Sequence, residues 1–345
     1  MTVNATILSK PQVKNAGKLL AVLAAAALLF AAFLLANGAD PLAIYSNMIS
    51  STLFTPYGIG EVLIKSTPLI LIAVGTCISA KAGLVNVGGE GQFAIGALFS
   101  TAAGLSIGDS LPSFMGIVVM MLAGVFGGAI WSGVAGILKI RANMNETLTT
   151  LIMNYIAYQI VSYFVFNDLK DPDSFNWPQT AKIAHSLRLP RIAGKINLGI
   201  LIALAAAVIV WLLVRKTKWG YSLRIVGGNA NAALHAGINV EMVQIVAMLL
   251  SGALAGLAGA IEIAGVEERL RQTTGVNYGY LGFLAAWMAW NDPAVAVLTA
   301  AVIGFLSVSG NVLEISSGLP SSAISILMAI VLFAILWKGK GRKSE

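Results

Sequence analysis

Charge is scarce in this 345-residue sequence: Asp, Glu, Lys and Arg make up 11% of it, while 57% is hydrophobic. Soluble domains carry about 25% charged and about 45–50% apolar residues, so a water-soluble globular fold is excluded. Cysteine is almost absent. The single Cys77 lies in an apolar stretch, which leaves neither a disulfide framework nor a cysteine metal site. Histidine is nearly as rare, and His185 and His235 stand far apart, so no metal centre, Ser/His/Asp set or Cys/His set is evident. A G-x-x-x-x-G-K-[ST] phosphate loop is also missing. The chain therefore reads as a non-enzyme that holds no cofactor and cannot itself bind ATP by that route.

Long apolar runs are what the sequence has in quantity. They recur at about 19–36, 62–80, 84–106, 114–138, 147–166, 197–214, 240–264, 276–290, 294–312 and 322–337. Each approaches the roughly 20 residues of a membrane-crossing helix, with 276–290 the shortest. Backbone groups in lipid must be satisfied internally, and these runs are too long and uniform for barrel strands. An all-α polytopic fold with about ten spans is expected, the whole of 1–345 forming one transmembrane domain. The first run follows Lys10, Lys14 and Lys18 like a secretory signal, but it exceeds the usual 7–15 residues of a cleaved core and reads as a retained span.

The net charge of +7 reports orientation rather than affinity for nucleic acid, because Lys and Arg collect on the cytoplasmic side. Placing both termini inside puts 14 of the 22 cations in cytoplasmic segments and 8 outside. The cytoplasmic segments are tails 1–18 and 338–345, a connection at 215–239, and the short connections that carry Lys81, Lys139 and Arg141. The 167–196 connection is the exception, with five external cations, but it also carries Asp168, Asp171 and Asp173. It reads as an external loop stiffened by Pro172, Pro178 and Pro190, with Trp177 at the interface. Glycines at Gly124, Gly127, Gly128, Gly133 and Gly136, and at Gly252, Gly256 and Gly259, allow close helix approach and predict that the fourth and seventh spans sit inside the bundle.

One pattern occurs twice. Val85-Asn86-Val87-Gly88-Gly89-Glu90-Gly91 and Val276-Asn277-Tyr278-Gly279-Tyr280-Leu281-Gly282 share V-N-x-G-x-x-G, 191 residues apart, each opening a span. In a ten-span topology the copies enter from opposite faces, as an inverted repeat of spans two to five and seven to ten requires.

Three polar stretches carry the functional candidates. In GLVNVGGEGQ the glycines weaken a helix, and Asn86, Glu90 and Gln92 can satisfy the freed backbone. Glu90 is the ionisable group singled out inside a span, either facing substrate or stapling the helix break. In ANMNETLTTLIMNY, Asn143 or Asn145 can cap a helix that opens with Glu146 and Thr147. Thr147, Thr150 and Asn154 then form one polar stripe, which lines an aqueous path or bonds a neighbouring helix. The path-lining set is Asn86, Glu90 and Gln92, followed by Glu146, Thr150 and Asn154. In the 215–239 connection, Asn229 caps a short helix over Ala230–Ala236 and Gly237 stops it. With no cation between Gly227 and Gly237, this helix suits docking into a cleft on a soluble partner better than lying on anionic lipid.

At these motifs the sequence resembles the permease subunits of ABC importers of the branched-chain amino acid, simple sugar and nucleoside group. Arg224, Gly227, Gly228, Asn229, Ala232, Ala233, Gly237 and Ile238 match that family's coupling region. The resemblance implies a helix that docks on a separate ATPase, which holds the ATP. Ser66 to Gln92 is most similar to the nucleoside branch, which pairs with lipoproteins of the basic-membrane-protein type. It also implies a second, related permease subunit as heterodimer partner, a location in the bacterial cytoplasmic membrane, and a lipoprotein that docks on the 167–196 and 265–275 loops. Leu284 to Pro293 departs from the pattern, where a smaller, Gly-containing helix end is expected. A permease for simple sugars such as ribose, or an ion-coupled secondary transporter using Glu90, are the alternatives.

Overall fold

A computed structural model describes residues 24–330 apart from 26, 176 and 321. The chain divides into two compact units, residues 59–305 and a smaller one of residues 1–58 with 306–345. In the smaller unit, α1 (Ala27–Ala36) and α2 (Pro41–Leu53) meet at a bend of 119°. Gly38, at φ +75°, makes the turn, and Asp40 caps α2 by accepting from Leu42 N at 3.0 Å, with Pro41 in the first turn. The Tyr45 hydroxyl donates to Ala27 O at 2.6 Å and holds the two helices together. A helix over 323–330 belongs to the same unit.

The larger unit is almost wholly helical. It contains most of α3 (Pro56–Lys81), then α4 (Gly89–Ile107), α5 (Ser113–Arg141), α6 (Glu146–Phe166), α7 (Gly199–Lys216), α8 (Lys218–Gly228), α9 (Ala230–His235), α10 (Val240–Glu262), α11 (Tyr278–Met288) and the first half of α12 (Pro293–Ser317). A π-helical turn, Ile263–Glu267, prolongs α10. Asn145 caps α6, accepting from Thr147 N at 3.0 Å and Leu148 N at 3.2 Å, which decides between the two candidate asparagines. Inside α3, Pro68 cannot donate a backbone hydrogen bond. Ser66 and Thr67 beside it turn their hydroxyls back onto Val62 O and Leu63 O at 2.6 and 2.8 Å.

Six helices among the described residues are long and apolar enough to cross a membrane, and the bent α1–α2 pair makes a seventh if taken as one span. The difference from ten has identifiable causes. The expected first and last spans, 19–36 and 322–337, fall partly outside the described residues. The 84–106 run is an extended lead-in followed by α4, whose first turns carry Glu90 and Gln92 and so dilute its apolarity. The 276–290 run yields only the 11 residues of α11, about 16 Å at 1.5 Å per residue, or half a hydrocarbon core.

The glycine-rich faces of α5 and α10 press together and α4 joins them. A Cβ on Gly256 would overlap the Gly124 carbonyl and lie 2.9 Å from Gly128 Cα. Ser132 donates across the same seam to Met248 O at 2.7 Å. Close approach is therefore as expected, and α10, 56% buried, sits inside as expected, but the placement of α5 inside the bundle needs correcting. Only 28% of the apolar stretch of α5 is buried, against 83% for α3. Met115, Leu122, Phe126 and Ile137 on its far face are exposed, so α5 packs by one side and offers the other to lipid.

The 167–196 connection folds as a platform with the segment after α10. It holds a two-stranded hairpin, β1 (Arg191–Ala193) with β2 (Ile196–Asn197). Ile183 N donates to Glu268 O and Leu189 N to Ala264 O, at 2.9 and 2.8 Å. Glu268 takes Arg188 at 2.8 Å and Lys182 at 3.5 Å, so partners outside the loop's own acidic residues balance these cations.

Gly256→Val is expected to lower stability by about 3 kcal/mol through overpacking, read as a fall in melting temperature in detergent. Gly228→Ala, where a Cβ meets nothing within 4 Å, should stay within about 0.5 kcal/mol. Equal melting of the two variants would refute the packed seam.

Candidate functional site

The site forms where two broken helices begin. After α3 ends at Lys81, Gly83 turns the chain at φ +78°, residues 84–88 run without helix, and α4 starts at Gly89. On the other side, Asn277 sits at φ +74° directly before α11. The first N–H groups of a helix lack internal partners and form its positive end. Glu90 meets those of α11: it accepts from Asn277 N at 2.5 Å, Gly279 N at 2.6 Å and Tyr280 N at 3.4 Å. The Tyr158 hydroxyl donates to the same carboxylate. Because Glu90 also lies in the first turn of α4, one negative charge faces two positive helix ends.

The two V-N-x-G-x-x-G copies thus touch. A Cβ on Gly279 would overlap the Glu90 backbone, and one on Gly89 would lie 3.5 Å from Gly279 Cα. Glycine is required for this approach at Gly279, whereas at Gly89 a Cβ would meet Gly279 at ordinary contact distance and press instead on the Ile72 side chain at 3.0 Å.

The remaining candidates surround the junction. Asn86 Nδ2 donates to Gln92 Oε1 at 3.2 Å and to Ser251 Oγ at 2.9 Å, while Gln92 Nε2 returns a bond to Asn86 Oδ1 at 3.0 Å. Asn86 Oδ1 also accepts from Gly88 N at 2.9 Å. Asn154 holds both sides of the break, accepting from Gly91 N at 2.8 Å and donating to Val87 O at 3.0 Å. Thr150 Oγ1 accepts from Val87 N at 3.3 Å. Asn86, Glu90, Gln92, Thr150 and Asn154 are each at most 2% exposed, so in this conformation their polar atoms serve one another and the broken backbone. Glu146, the first residue of α6, pairs with Lys139 at 2.8 Å and adjoins the group, its carboxylate taking the Val85 backbone N–H and its carbonyl the Thr150 hydroxyl at 2.7 Å. Beside the junction, Tyr155 is exposed, as are Ile152 and Val276, and Tyr280 is half-buried.

A second intramembrane carboxylate was missed by reading motifs. Glu262 lies within the 240–264 run, and that position alone was a sufficient signal. It is buried, and the Tyr278 hydroxyl faces it at 3.4 Å. Lys65 lies inside α3 and donates to the same hydroxyl at 2.6 Å. Tyr278, one residue past the Asn277–Glu90 bond, therefore ties this cluster to the junction.

The coupling candidates fall into two kinds. Asn229 accepts from Ala232 N at 3.0 Å and caps α9, and Gly237 at φ +75° ends it, as read from the sequence. The helix is Ala230–His235, one residue shorter than expected, and α8, capped by Thr217, precedes it. Arg224 bonds the Val214 carbonyl, and Gly227 packs so closely on Lys81 O and Gly83 that no Cβ fits. Ala233 is fully buried, which removes it from any direct docking surface, and Ile238 N closes the turn onto Ala233 O at 3.0 Å. Gly228 and Ala232 are exposed, as are Leu234 and His235.

The departure noted at Leu284–Pro293 has a structural counterpart. Trp290 and Asn291 both take positive φ, 54° and 56°, where glycine is the usual residue. Asp292 follows and pairs with Arg215 at 2.6 Å. Partial burial would raise its carboxyl, but hydrogen bonds from Arg215 and Ala294 N, with the charges of Arg215 and Lys81, hold it below the ordinary carboxylate value.

Comparison with known proteins follows from this geometry. Residues 58–336 match the family described as the branched-chain amino acid transport system permease component. The chain is 33% identical over 315 residues to the guanosine ABC transporter permease protein NupP of Bacillus subtilis, covering 88% of each chain. It is 32% identical to the glucose ABC transporter permease protein TsgB13 of Haloferax volcanii, over 88% of this chain and 82% of that one. It is 31% identical to the nucleoside ABC transporter permease protein NupB of Lactococcus lactis, over 90% and 88%.

Glu90→Gln keeps the shape but removes the charge between two helix ends and turns one acceptor into a donor. A loss of about 2–3 kcal/mol is expected, visible as a lower melting temperature and faster hydrogen exchange at 277–281. Tyr158→Phe should cost about 1 kcal/mol and leave those amides protected. Unchanged exchange in Glu90→Gln would show that the carboxylate does not cap α11.

Proposed function

Because the chain belongs to the family of branched-chain amino acid transport system permease components, which are multi-pass, non-enzymatic ABC transporter subunits, we propose that it is the nucleoside-carrying permease of an ATP-driven importer. Two of the relatives named above are nucleoside permeases at 31–33% identity, and the Ser66–Gln92 stretch is most similar to that branch. Membership in this family sets the ion-coupled alternative aside. The glucose permease at 32% identity favours a sugar as the second reading.

The observation that carries the mechanism is the Glu90 junction. Paired discontinuous helices whose N-termini meet in mid-membrane are characteristic of transporters built from inverted repeats. In this reading 82–88 with α4, and the turn ending at Asn277 with α11, are each a pass made of a non-helical lead-in and a helix. That gives ten passes, with both termini on the cytoplasmic side of a bacterial cytoplasmic membrane. Spans two to five and seven to ten are then the repeat, and the junction lies on its axis.

The 215–239 segment docks on a separate ATPase through the exposed Gly228, Ala232, Leu234 and His235, while Arg224, Gly227, Asn229, Ala233, Gly237 and Ile238 hold its shape. Gly227 rests on Lys81 and Gly83, and the chain runs directly from there through 84–88 to Glu90. A displacement of α8 on ATPase closure thereby reaches the junction through one continuous stretch of backbone. Parting of the 84–92 segment from α11 opens a route lined by Asn86, Glu90, Gln92, Thr150 and Asn154, with Glu146 at its inner mouth. These groups offer the donors and acceptors a neutral nucleoside needs, and Tyr155 and Tyr280 offer aromatic walls. A related permease subunit completes the pair. A substrate-binding lipoprotein delivers nucleoside to the platform formed by 167–196 and 265–275.

In proteoliposomes holding the permease pair, ATPase and binding protein, guanosine uptake is expected to exceed glucose or ribose uptake at least tenfold. Ala232→Arg should abolish uptake and ATPase co-purification while Ala232→Ser preserves both. Preferential sugar uptake would support the second reading, and full activity of Ala232→Arg would refute docking through α9.

A further inference from the structure

A cavity of about 470 Å³ opens on the rim that carries α8, lined by Lys81, Trp211, Arg215, Lys216, Arg224 and Asp292 among others. Four cations face one carboxylate. Asp292 is taken by Arg215 at 2.6 Å, and one Arg224 nitrogen is taken by the Val214 carbonyl. Lys81 and Lys216 form no ion pair among the described residues. The cavity therefore keeps a surplus of positive charge directed at an open space, which is the requirement for an anionic ligand.

The surroundings identify the kind of anion. Trp211 lies at the cavity wall with the Arg215 guanidinium 5.6 Å above its ring, an amphipathic pair typical of the headgroup level. From there α7 runs away with Leu204, Val208 and Leu212 exposed at four-residue spacing, on the face that also carries Trp211 and Arg215. From the other side of the cavity α12 runs away with Val295, Leu298 and Val302 exposed in the same manner. A free phosphate or a soluble protein carboxylate has no use for two apolar stripes leading off from its site. A molecule with a negative head and two hydrocarbon chains matches both features.

We propose that this cavity binds the phosphate-bearing headgroup of an anionic phospholipid, with the acyl chains lying along α7 and α12. Lys81 and Lys216 are its free charges. Lys81 closes α3 beside Gly227, and Arg224 belongs to α8, so an occupied cavity braces the α8 attachment to α3. The lipid is thereby a structural cofactor of coupling. The site is independent of which solute is carried.

The test uses the purified permease complex with its ATPase in detergent, given phosphatidylglycerol or phosphatidylcholine and read by native mass spectrometry. Phosphatidylglycerol is expected to be retained selectively, and the double variant Lys81→Gln, Lys216→Gln to weaken its binding about tenfold to thirtyfold. Lys216→Gln alone, on an exposed position, should weaken it several-fold and guards against misfolding of the double variant. In the wild-type complex, ATPase activity should rise when phosphatidylglycerol is added to phosphatidylcholine vesicles, and the double variant should lose that increment. Equal retention of both lipids, or unchanged selectivity in the variants, would overturn the proposal. So would displacement of the lipid by millimolar inorganic phosphate, which would assign the cavity to a free anion. Loss of ATPase co-purification in the double variant without a change in lipid retention would assign it to the ATPase.

Discussion

A single carboxylate placed between two helix N-termini organises the centre of this molecule. An uncompensated charge away from water costs several kcal/mol, and unsatisfied helix ends cost as well. Glu90 offsets the two costs against each other by receiving three N–H groups of the α11 start and a phenol, while its own helix end lies within a turn. Neither broken helix would be stable there without the other. Around it, Asn86 takes Gly88 N and Asn154 bonds Gly91 N and Val87 O, while Gln92 holds the Asn86 amide in place.

That solution depends on glycine at the meeting point and on a close-packed frame around it. Gly279 lets the two breaks touch, and the Gly124, Gly128, Gly252 and Gly256 seam draws α5 against α10 behind them. In lipid there is no hydrophobic drive to press helices together, so close backbone packing and bonds such as Ser132 to Met248 O supply the cohesion. Lys81, Gly83 and Gly227 form the contact between α8 and the backbone that leads into the junction.

The same logic explains which side chains work at the rim. Arg224, Asn229 and Gly237 build the turns and cap around α9 although they are exposed, Ala233 is its buried anchor, and the exposed Ala232 and Leu234 make none of these structural bonds. A motif marks the residues needed for a shape and the residues that use it without distinguishing them. Bonding and burial together make the distinction, and burial places Ala233 in the core.

Much of the local chemistry was legible in the sequence. The Asn229 cap and the Gly237 stop follow from rules that act over a few residues and stand where those rules put them, whereas the 276–290 run gives only the short α11. The doubled V-N-x-G-x-x-G pattern was visible too, but its meaning was not, because nothing local says that positions 90 and 279 are neighbours. Tertiary packing decided that Glu90 caps the other copy rather than its own, and that the stripe of Thr150 and Asn154 bonds the broken backbone. It also decided that Glu262 and Lys65 converge on Tyr278 from two other helices. Hydropathy counts residues along one helix at a time, whereas a buried charge is stabilised by whichever donors the fold carries to it.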